Sequence, residues 1–113
     1  MATIRAYTTI EQSRKLAEIL RLESADMVYT MTNGYHTPWV RIEKIDELDK
    51  DDVCAWSLAA LLDILPEIQG GKPIIALDDN YITYPHMSDL HTKADNLVDA
   101  CYEMILKLHD LKG

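Results

Sequence analysis

The residues best suited to chemistry lie close together in segment 85–95. The segment holds two imidazoles and a carboxylate, His86, Asp89 and His91, and a second carboxylate follows at Asp95. Imidazole nitrogens and carboxylate oxygens are ligands for zinc and other divalent metals. The spacing matches no named zinc signature, and Asp95 is also well placed to cap a following helix. The cluster gives one hypothesis, a metal-dependent enzyme that uses His86, Asp89 and His91.

The other reactive residues lack the partners that catalysis needs. The acidic run 46–52 could offer carboxylates to Ca²⁺, but it has no glycine of the kind an EF-hand loop requires. Ser57 lacks the Gly-x-Ser-x-Gly turn of hydrolases and fits better as a helix cap or as a hydroxyl bonded to the helix backbone. Cys54 and Cys101 each lie in an apolar helical pattern, which favours two buried thiols. We therefore expect no catalytic residue and no cofactor.

The composition is that of a globular, strongly acidic chain. Its 113 residues, 48% hydrophobic and 27% charged, fit a single domain over 1–113. The formal net charge of −8 opposes binding to nucleic acid or to an anionic membrane, because phosphates attract clustered Lys and Arg. No apolar run is long enough to span a membrane, and no secretory signal is visible. We therefore expect a cytoplasmic protein with neither kind of partner.

Two helices are expected in the first two thirds of the chain. Thr8 with Glu11 and Thr9 with Gln12 both have the spacing of a capping box, and the apolar positions that follow predict a helix over 9–22. Residues 54–65 are almost all apolar and rich in Ala and Leu, and Pro66 stops them. A helix that is apolar nearly all round has no solvent face. The second helix is therefore expected at the centre of the fold.

A β-hairpin is expected between these helices. Residues 26–32 are rich in strand formers and end at Asn33-Gly34, the pair that favours a type I′ turn. The returning strand, 35–42, contains Pro38, which lacks the N–H that a ladder needs. This strand is therefore expected at a sheet edge or at a bulge.

The last third of the chain predicts a second hairpin and a third helix. Residues 74–77 form a short apolar strand, 78–80 a turn, and 81–84 an alternating return strand. Residues 86–93 are mostly polar and are expected to be a loop. An apolar stripe then predicts a helix over 96–111.

These elements predict an α+β fold with the order α-ββ-α-ββ-α. The two hairpins would form one four-stranded antiparallel sheet packed against the helices. A shift of about 46 positions lays the second hairpin and helix over the first, counted along the printed sequence. A ββα pseudo-repeat is one explanation, and similar patterning of unrelated hairpins is the other.

Two stretches resemble a family of small uncharacterised proteins from gut bacteria and their phages. They are Ala-Trp-Ser-Leu-Ala-Ala-Leu-Leu-Asp-Ile-Leu-Pro at 55–66 and Ala-Asp-Asn-Leu-Val-Asp-Ala-Cys-Tyr-Glu-Met-Ile at 94–105. Segments 9–17 and 24–27 are also similar, so the likeness covers most of the chain. In that family a proline often stands at the position of Leu97. The resemblance implies a shared fold and is compatible with a phage- or mobile-element-related protein, and it brings no activity, substrate or site residue.

The aromatic residues of the hairpins suggest an interaction surface. The candidates lie on strands whose outer faces the helices need not cover: Tyr29, Tyr35, Trp39, Tyr81 and Tyr84. Exposed Tyr and Trp on one sheet face favour contact with another protein or with a second copy of the chain. The alternative is that these side chains are half-buried at the edges of the core. We therefore expect a non-catalytic interaction module that binds a protein partner or forms a homodimer. The alternatives are an acidic inhibitor that imitates nucleic acid and the metal-dependent enzyme described above.

Overall fold

The computed structural model describes residues 6–41, 44–85 and 87–112. In that part of the chain, helices and strands are combined in an α+β fold, as the sequence predicts. In chain order the elements are α1 (Ile10–Ala17), β1 (Met27–Thr32), β2 (Tyr35–Val40), β3 (Val53–Ala55), α2 (Leu58–Ile64), β4 (Ile74–Ala76), β5 (Tyr81–Tyr84), β6 (Met87–Lys93) and α3 (Leu97–Lys112).

Helix α1 begins with the second of the two capping boxes that the sequence allows, Thr9 with Gln12. The Thr9 hydroxyl accepts the Gln12 N–H at 3.1 Å, and the Gln12 side chain accepts the Thr9 N–H at 3.0 Å. The helix is shorter than the expected 9–22, because the chain tightens after Ala17. The N–H of Glu18 there bonds the carbonyl three residues earlier, the pattern that closes many helices.

The first hairpin has the predicted turn and register. Asn33 and Gly34 have φ values of 51° and 85°, the left-handed backbone of a type I′ turn. Thr32 pairs with Tyr35, and the register runs without a break to Met27 opposite Val40. The hairpin is therefore fixed by its own two-residue turn.

Pro38 lies at a sheet edge, as expected, and there is no bulge. Strand β2 is the outer strand of its sheet, and Pro38 stands opposite Tyr29 in a regular register. The Arg41 N–H donates to the Asp26 carbonyl at 2.9 Å, so Arg41 faces β1. Alternate residues of a strand face the same neighbour, so the Pro38 nitrogen points away from β1. The proline therefore removes no hydrogen bond from the hairpin.

The expected central helix over 54–65 is wrong in its first third. Cys54 and Ala55 belong to strand β3, where they pair with Val28 and Met27 of β1. Helix α2 begins only at Leu58, after Ser57 has capped it. The helix is also not buried all round, because Ala59 is exposed. A short apolar run fits a strand and a buried helix equally well, and pairing with a distant strand decides between them.

The expected four-stranded sheet is also wrong. The described strands form two three-stranded antiparallel sheets, with the orders β2-β1-β3 and β4-β5-β6. The additional strands are β3, expected as helix, and β6, expected as the loop 86–93. In β6, Leu90 and Thr92 are buried whereas Asp89, His91 and Lys93 are exposed. This alternation is the pattern of a half-buried strand.

The two halves of the chain do not repeat one topology. Each half has three strands followed by a helix. The third strand pairs with the first strand of the hairpin in one half and with the second strand in the other. The correspondence at a shift of 46 covers the hairpins and the helices that follow them, but not the third strands.

A hydrophobic core joins the three helices and both sheets. Its fully buried members include Leu16 of α1, Leu61 of α2, Ile82 of β5 and Met104 of α3, together with Trp56. Cys54 brings the first sheet into the same cluster. Nowhere in the described residues is a helix both long and apolar enough to cross a membrane.

Candidate protein-interaction surface

Of the three predicted metal ligands, Asp89 and His91 lie in the described residues. His86 lies outside them. Asp89 and His91 are exposed on β6, and the His91 ring stacks on Tyr81 with centroids 6.1 Å apart and planes at 30°. Within the described ranges, no three His, Cys, Asp or Glu side chains are arranged to hold a metal ion. His91 thus contributes a cross-strand ring contact between the neighbouring strands β5 and β6.

Asn96 performs the capping role predicted for Asp95. The Asn96 side-chain oxygen accepts the Asp99 N–H at 2.9 Å, so the cap of α3 lies one residue later than expected. The position of Leu97 is then the first helical residue, where a proline is well tolerated. The Asp99 carboxylate also accepts the Gln12 side-chain N–H at 2.7 Å, which links α3 to α1.

Both cysteines are buried free thiols, as expected. Burial raises the pKa of Cys101 from 9.0 to about 12. Burial also raises the pKa of Cys54, although the nearby charge of Arg41 opposes the shift. Because the thiolate is the nucleophile, neither side chain is activated at neutral pH.

Ser57 is a helix cap, as the sequence predicts, and Asp26 supports it. The Ser57 hydroxyl accepts the Ala60 N–H at 3.2 Å and donates to the Asp26 carboxylate. The same carboxylate accepts the Ser57 N–H at 2.8 Å. Asp26 thus fixes the point where β3 ends and α2 begins.

We expect Asp26→Ala to lower the free energy of unfolding by about 1 kcal/mol, a typical value for the loss of a cap. The reason is that the first turn of α2 loses its anchor to the segment before β1. Urea denaturation followed by circular dichroism measures the change. The matched control is Asp63→Ala, at an exposed aspartate inside α2, where we expect a change within about 0.5 kcal/mol. Equal losses in the two variants would contradict the capping role.

Two of the five aromatic candidates are core residues. Tyr29 is 7% exposed and donates its hydroxyl to the Thr8 carbonyl at 2.6 Å. Tyr84 is 2% exposed and donates to the Pro66 carbonyl at 2.8 Å. Their hydroxyls are satisfied inside the fold, so these side chains do not form a surface. Tyr81 is half-buried, against His91.

The other two candidates are exposed on one face of the edge strand β2. Tyr35 is 76% exposed and Trp39 is 56% exposed. They are four residues apart, with Thr37 between them, and side chains two apart on a strand share a face. We call Tyr35, Thr37 and Trp39 the β2 stripe. The opposite face of the same hairpin exposes Val40 and Met31.

An acidic cleft lies along the edge of β1 that faces away from β2, and sequence reasoning missed it. Its volume is about 490 Å³. The residues that line it, called the acidic cleft below, are Thr30, Met31, Glu47, Leu48, Asp49, Lys50, Asp51 and Asp52. Six of these residues, 47–52, belong to the acidic run 46–52 of the sequence. Its Leu48 is half-buried against the core, which holds the run beside β1.

The structure also has an apolar groove of about 610 Å³ at the ends of the helices. Its walls come from the segment after α1, the end of α2, strand β6 and the last turns of α3. Leu111 at its rim is exposed. The last part of the predicted α3 stripe therefore lines an open groove and is not fully covered by the core.

No protein-family model, curated protein or solved structure matches this chain.

Proposed function

We propose that this protein is a non-catalytic protein-interaction module and that the β2 stripe is its contact surface. The observation that supports this is the exposure of Tyr35 and Trp39 on one face of an edge strand. Tyr and Trp are enriched at protein interfaces, where they supply large contact areas with little loss of conformational entropy. Exposed apolar patches of this kind often mark interaction sites.

The partner contacts the side chains of the stripe and does not extend the sheet beyond β2. The main-chain groups on the outer edge of β2 belong to His36, Pro38 and Val40, as the alternation along the strand requires. Pro38 has no N–H to donate in the middle of this edge. Proline is one of the devices that protect edge strands from pairing with another strand. A homodimer would therefore form through stripe-to-stripe contact and not through β2–β2 pairing.

We expect the double substitution Tyr35→Ser and Trp39→Ser to abolish partner binding while the fold is kept. Both side chains are largely solvated, so we expect the free energy of unfolding to change by less than about 1 kcal/mol. Light scattering after gel filtration tests the homodimer: a dimeric parent protein becomes monomeric in the variant. If the parent protein is a monomer, capture from a gut-bacterial lysate tests a different partner.

The matched control is Ile74→Ser with Leu77→Ser. These residues are also exposed and apolar, 54% and 69%, but they belong to the other sheet and its turn. We expect this variant to keep the dimer or the partner. Retention of the partner by the stripe variant, or loss in both variants, would overturn the assignment of the surface.

The proposed cellular location and the choice of lysate rest on the sequence resemblance and on the two thiols. Two buried free thiols fit a reducing compartment, so we include a cytoplasmic location in the proposal. The resemblance to proteins of gut bacteria and their phages is the reason to choose a gut-bacterial lysate. Recovery of a specific partner from that lysate by the parent protein, and not by the stripe variant, would support both choices.

A further inference from the structure

We infer that the acidic cleft binds an extended basic peptide segment, which adds to the free edge of β1 as a short strand. This inference rests on the proposed function, because it names the chemistry of the partner of the same hairpin. The carboxylates alone would be only a solvated face. The open strand edge beside them makes the cleft a place where a peptide can bind.

Along the edge of β1 that faces away from β2, only the first half of the strand, 27–29, has a neighbouring strand. Strand β3 pairs Ala55 with Met27 and Val53 with Tyr29. Before β3 the chain turns, since the Asp52 carboxylate accepts the Asp49 N–H at 3.0 Å. In the part of the chain that the structure describes, no strand therefore lies beside β1 beyond Tyr29 on this side.

The main-chain groups of Met31 face this open side. Thr30 and Thr32 pair with Thr37 and Tyr35 in the bonded positions of the hairpin, as a two-residue turn requires. The N–H and C=O of Met31, between them, point the other way. A strand placed there can exchange two main-chain hydrogen bonds with Met31, the basis of recognition by strand addition.

The charge of the cleft selects a basic peptide. Its lining carries four carboxylates, Glu47, Asp49, Asp51 and Asp52, against the ammonium of Lys50. In a strand, the neighbours of the residue opposite Met31 share the face of Thr30, which also lines the cleft. Lys or Arg at these two positions would lie beside the carboxylates. The volume of about 490 Å³ has room for such side chains.

The other occupants fit less well. A second copy of the chain brings a formal charge of −8, so like charges would meet at the cleft. Nucleic acid is repelled for the same reason. For a metal ion, the described residues hold no suitable group of ligands.

The test is a titration of ¹⁵N-labelled protein with the peptide acetyl-Lys-Val-Lys-amide, which covers positions 30–32 without reaching the place of β3 beside Tyr29, followed by amide NMR. The central Val is designed to lie opposite Met31, with a Lys on each side. We expect shifts confined to residues 30–32 and 47–52. Raising the salt from ~0.05 M to ~0.5 M shortens the Debye length several-fold and should weaken binding.

Two peptide controls separate strand addition from charge attraction. A peptide with Glu in place of Lys should not bind. A peptide with an N-methyl group on the central Val keeps all its charges but cannot donate to the Met31 carbonyl, and it should bind at least about threefold more weakly, as the loss of one hydrogen bond implies. Equal binding of the N-methylated peptide would overturn strand addition.

A matched pair of protein variants tests the position of the site. Asp49→Asn with Asp51→Asn should weaken binding about three- to tenfold, as expected for two exposed charge pairs. Asp78→Asn with Asp79→Asn changes the net charge equally at the turn after β4 and should change binding less than about twofold. Equal weakening in both variants, or shifts outside the cleft, would overturn the inference.

The failures of the two proposals differ. If the peptide does not bind but the Tyr35→Ser and Trp39→Ser variant loses its partner, only the inference about the cleft falls. If the peptide binds at the cleft but the stripe variant keeps its partner, the stripe is not the contact surface.

Discussion

Replacing Trp56 by alanine should lower the free energy of unfolding by about 3–5 kcal/mol, the range for a large core residue cut to a methyl group. Trp56 is fully buried, and its indole N–H donates to the Ser24 hydroxyl at 2.9 Å. The substitution removes the largest fully buried side chain and leaves a cavity. The Trp56 main chain accepts the Thr8 N–H and donates to the Thr8 hydroxyl, and neither hydrogen bond involves the indole. The loss of unfolding free energy therefore reports on the Trp56 side chain.

Urea denaturation followed by far-ultraviolet circular dichroism measures this loss without relying on tryptophan fluorescence. The matched control is Trp39→Ala, because Trp39 is half exposed on an edge strand and should lose no more than about 1 kcal/mol. If Trp56→Ala does not fold, Trp56→Phe provides the measurement, with an expected loss of about 1–3 kcal/mol. Similar losses in the Trp39 and Trp56 variants would contradict the assignment of the core.

The surroundings of Trp56 show why the centre of the fold was only half predictable. The apolar run that contains it was recognisable as a core segment. Its division into strand β3, a cap at Ser57 and helix α2 depends on Asp26, which lies 31 residues earlier in the chain. A pairing over that distance leaves no local pattern, so the local sequence of the run predicts one helix.

Features fixed by neighbouring residues were predictable. Asn33-Gly34 specifies its turn through the backbone angles that these two residues accept, and Thr9 with Gln12 specifies the start of α1. Strand β6 did have a local signal, the alternation of Leu90 and Thr92 with exposed neighbours. Its His and Asp residues also fit a polar loop with metal ligands, and this interpretation gave the wrong prediction for residues 86–93.

The candidate surface was predictable in its residue types but not in its exposure. Tyr29 and Tyr35 occur in similar strand patterns on one hairpin. Tyr29 is buried because the segment before α1 passes over it, with the Thr8 carbonyl accepting its hydroxyl. The acidic run 46–52 was recognisable in the sequence, but the cleft that it lines was not, because the cleft depends on where β3 begins beside β1.

Raising the pH from about 9 to about 11 should lower the free energy of unfolding by about 4 kcal/mol through two buried groups. Burial raises the pKa of Cys101 from 9.0 to about 12 and that of Tyr84 from 10.0 to about 12. The unfolded chain releases these protons near pH 9 and pH 10, whereas the folded chain holds them up to about pH 12. Their stabilisation is therefore complete below pH 9 and is lost as the pH rises towards 12.

The two contributions can be separated by substitution. Each shifted group gives a slope of about 1.4 kcal/mol per pH unit inside its window, so at pH 11 Cys101 accounts for about 3 kcal/mol and Tyr84 for about 1 kcal/mol. Urea midpoints of the parent protein and of Cys101→Ala, taken from about pH 8 to about pH 11, should fall more steeply with pH in the parent protein, because only the parent loses the contribution of the thiol. An unchanged slope in Cys101→Ala would show that the thiol ionises without unfolding. The burial that keeps Cys101 inactive as a nucleophile would then not be continuous with the core, and α3 would have to open locally at alkaline pH.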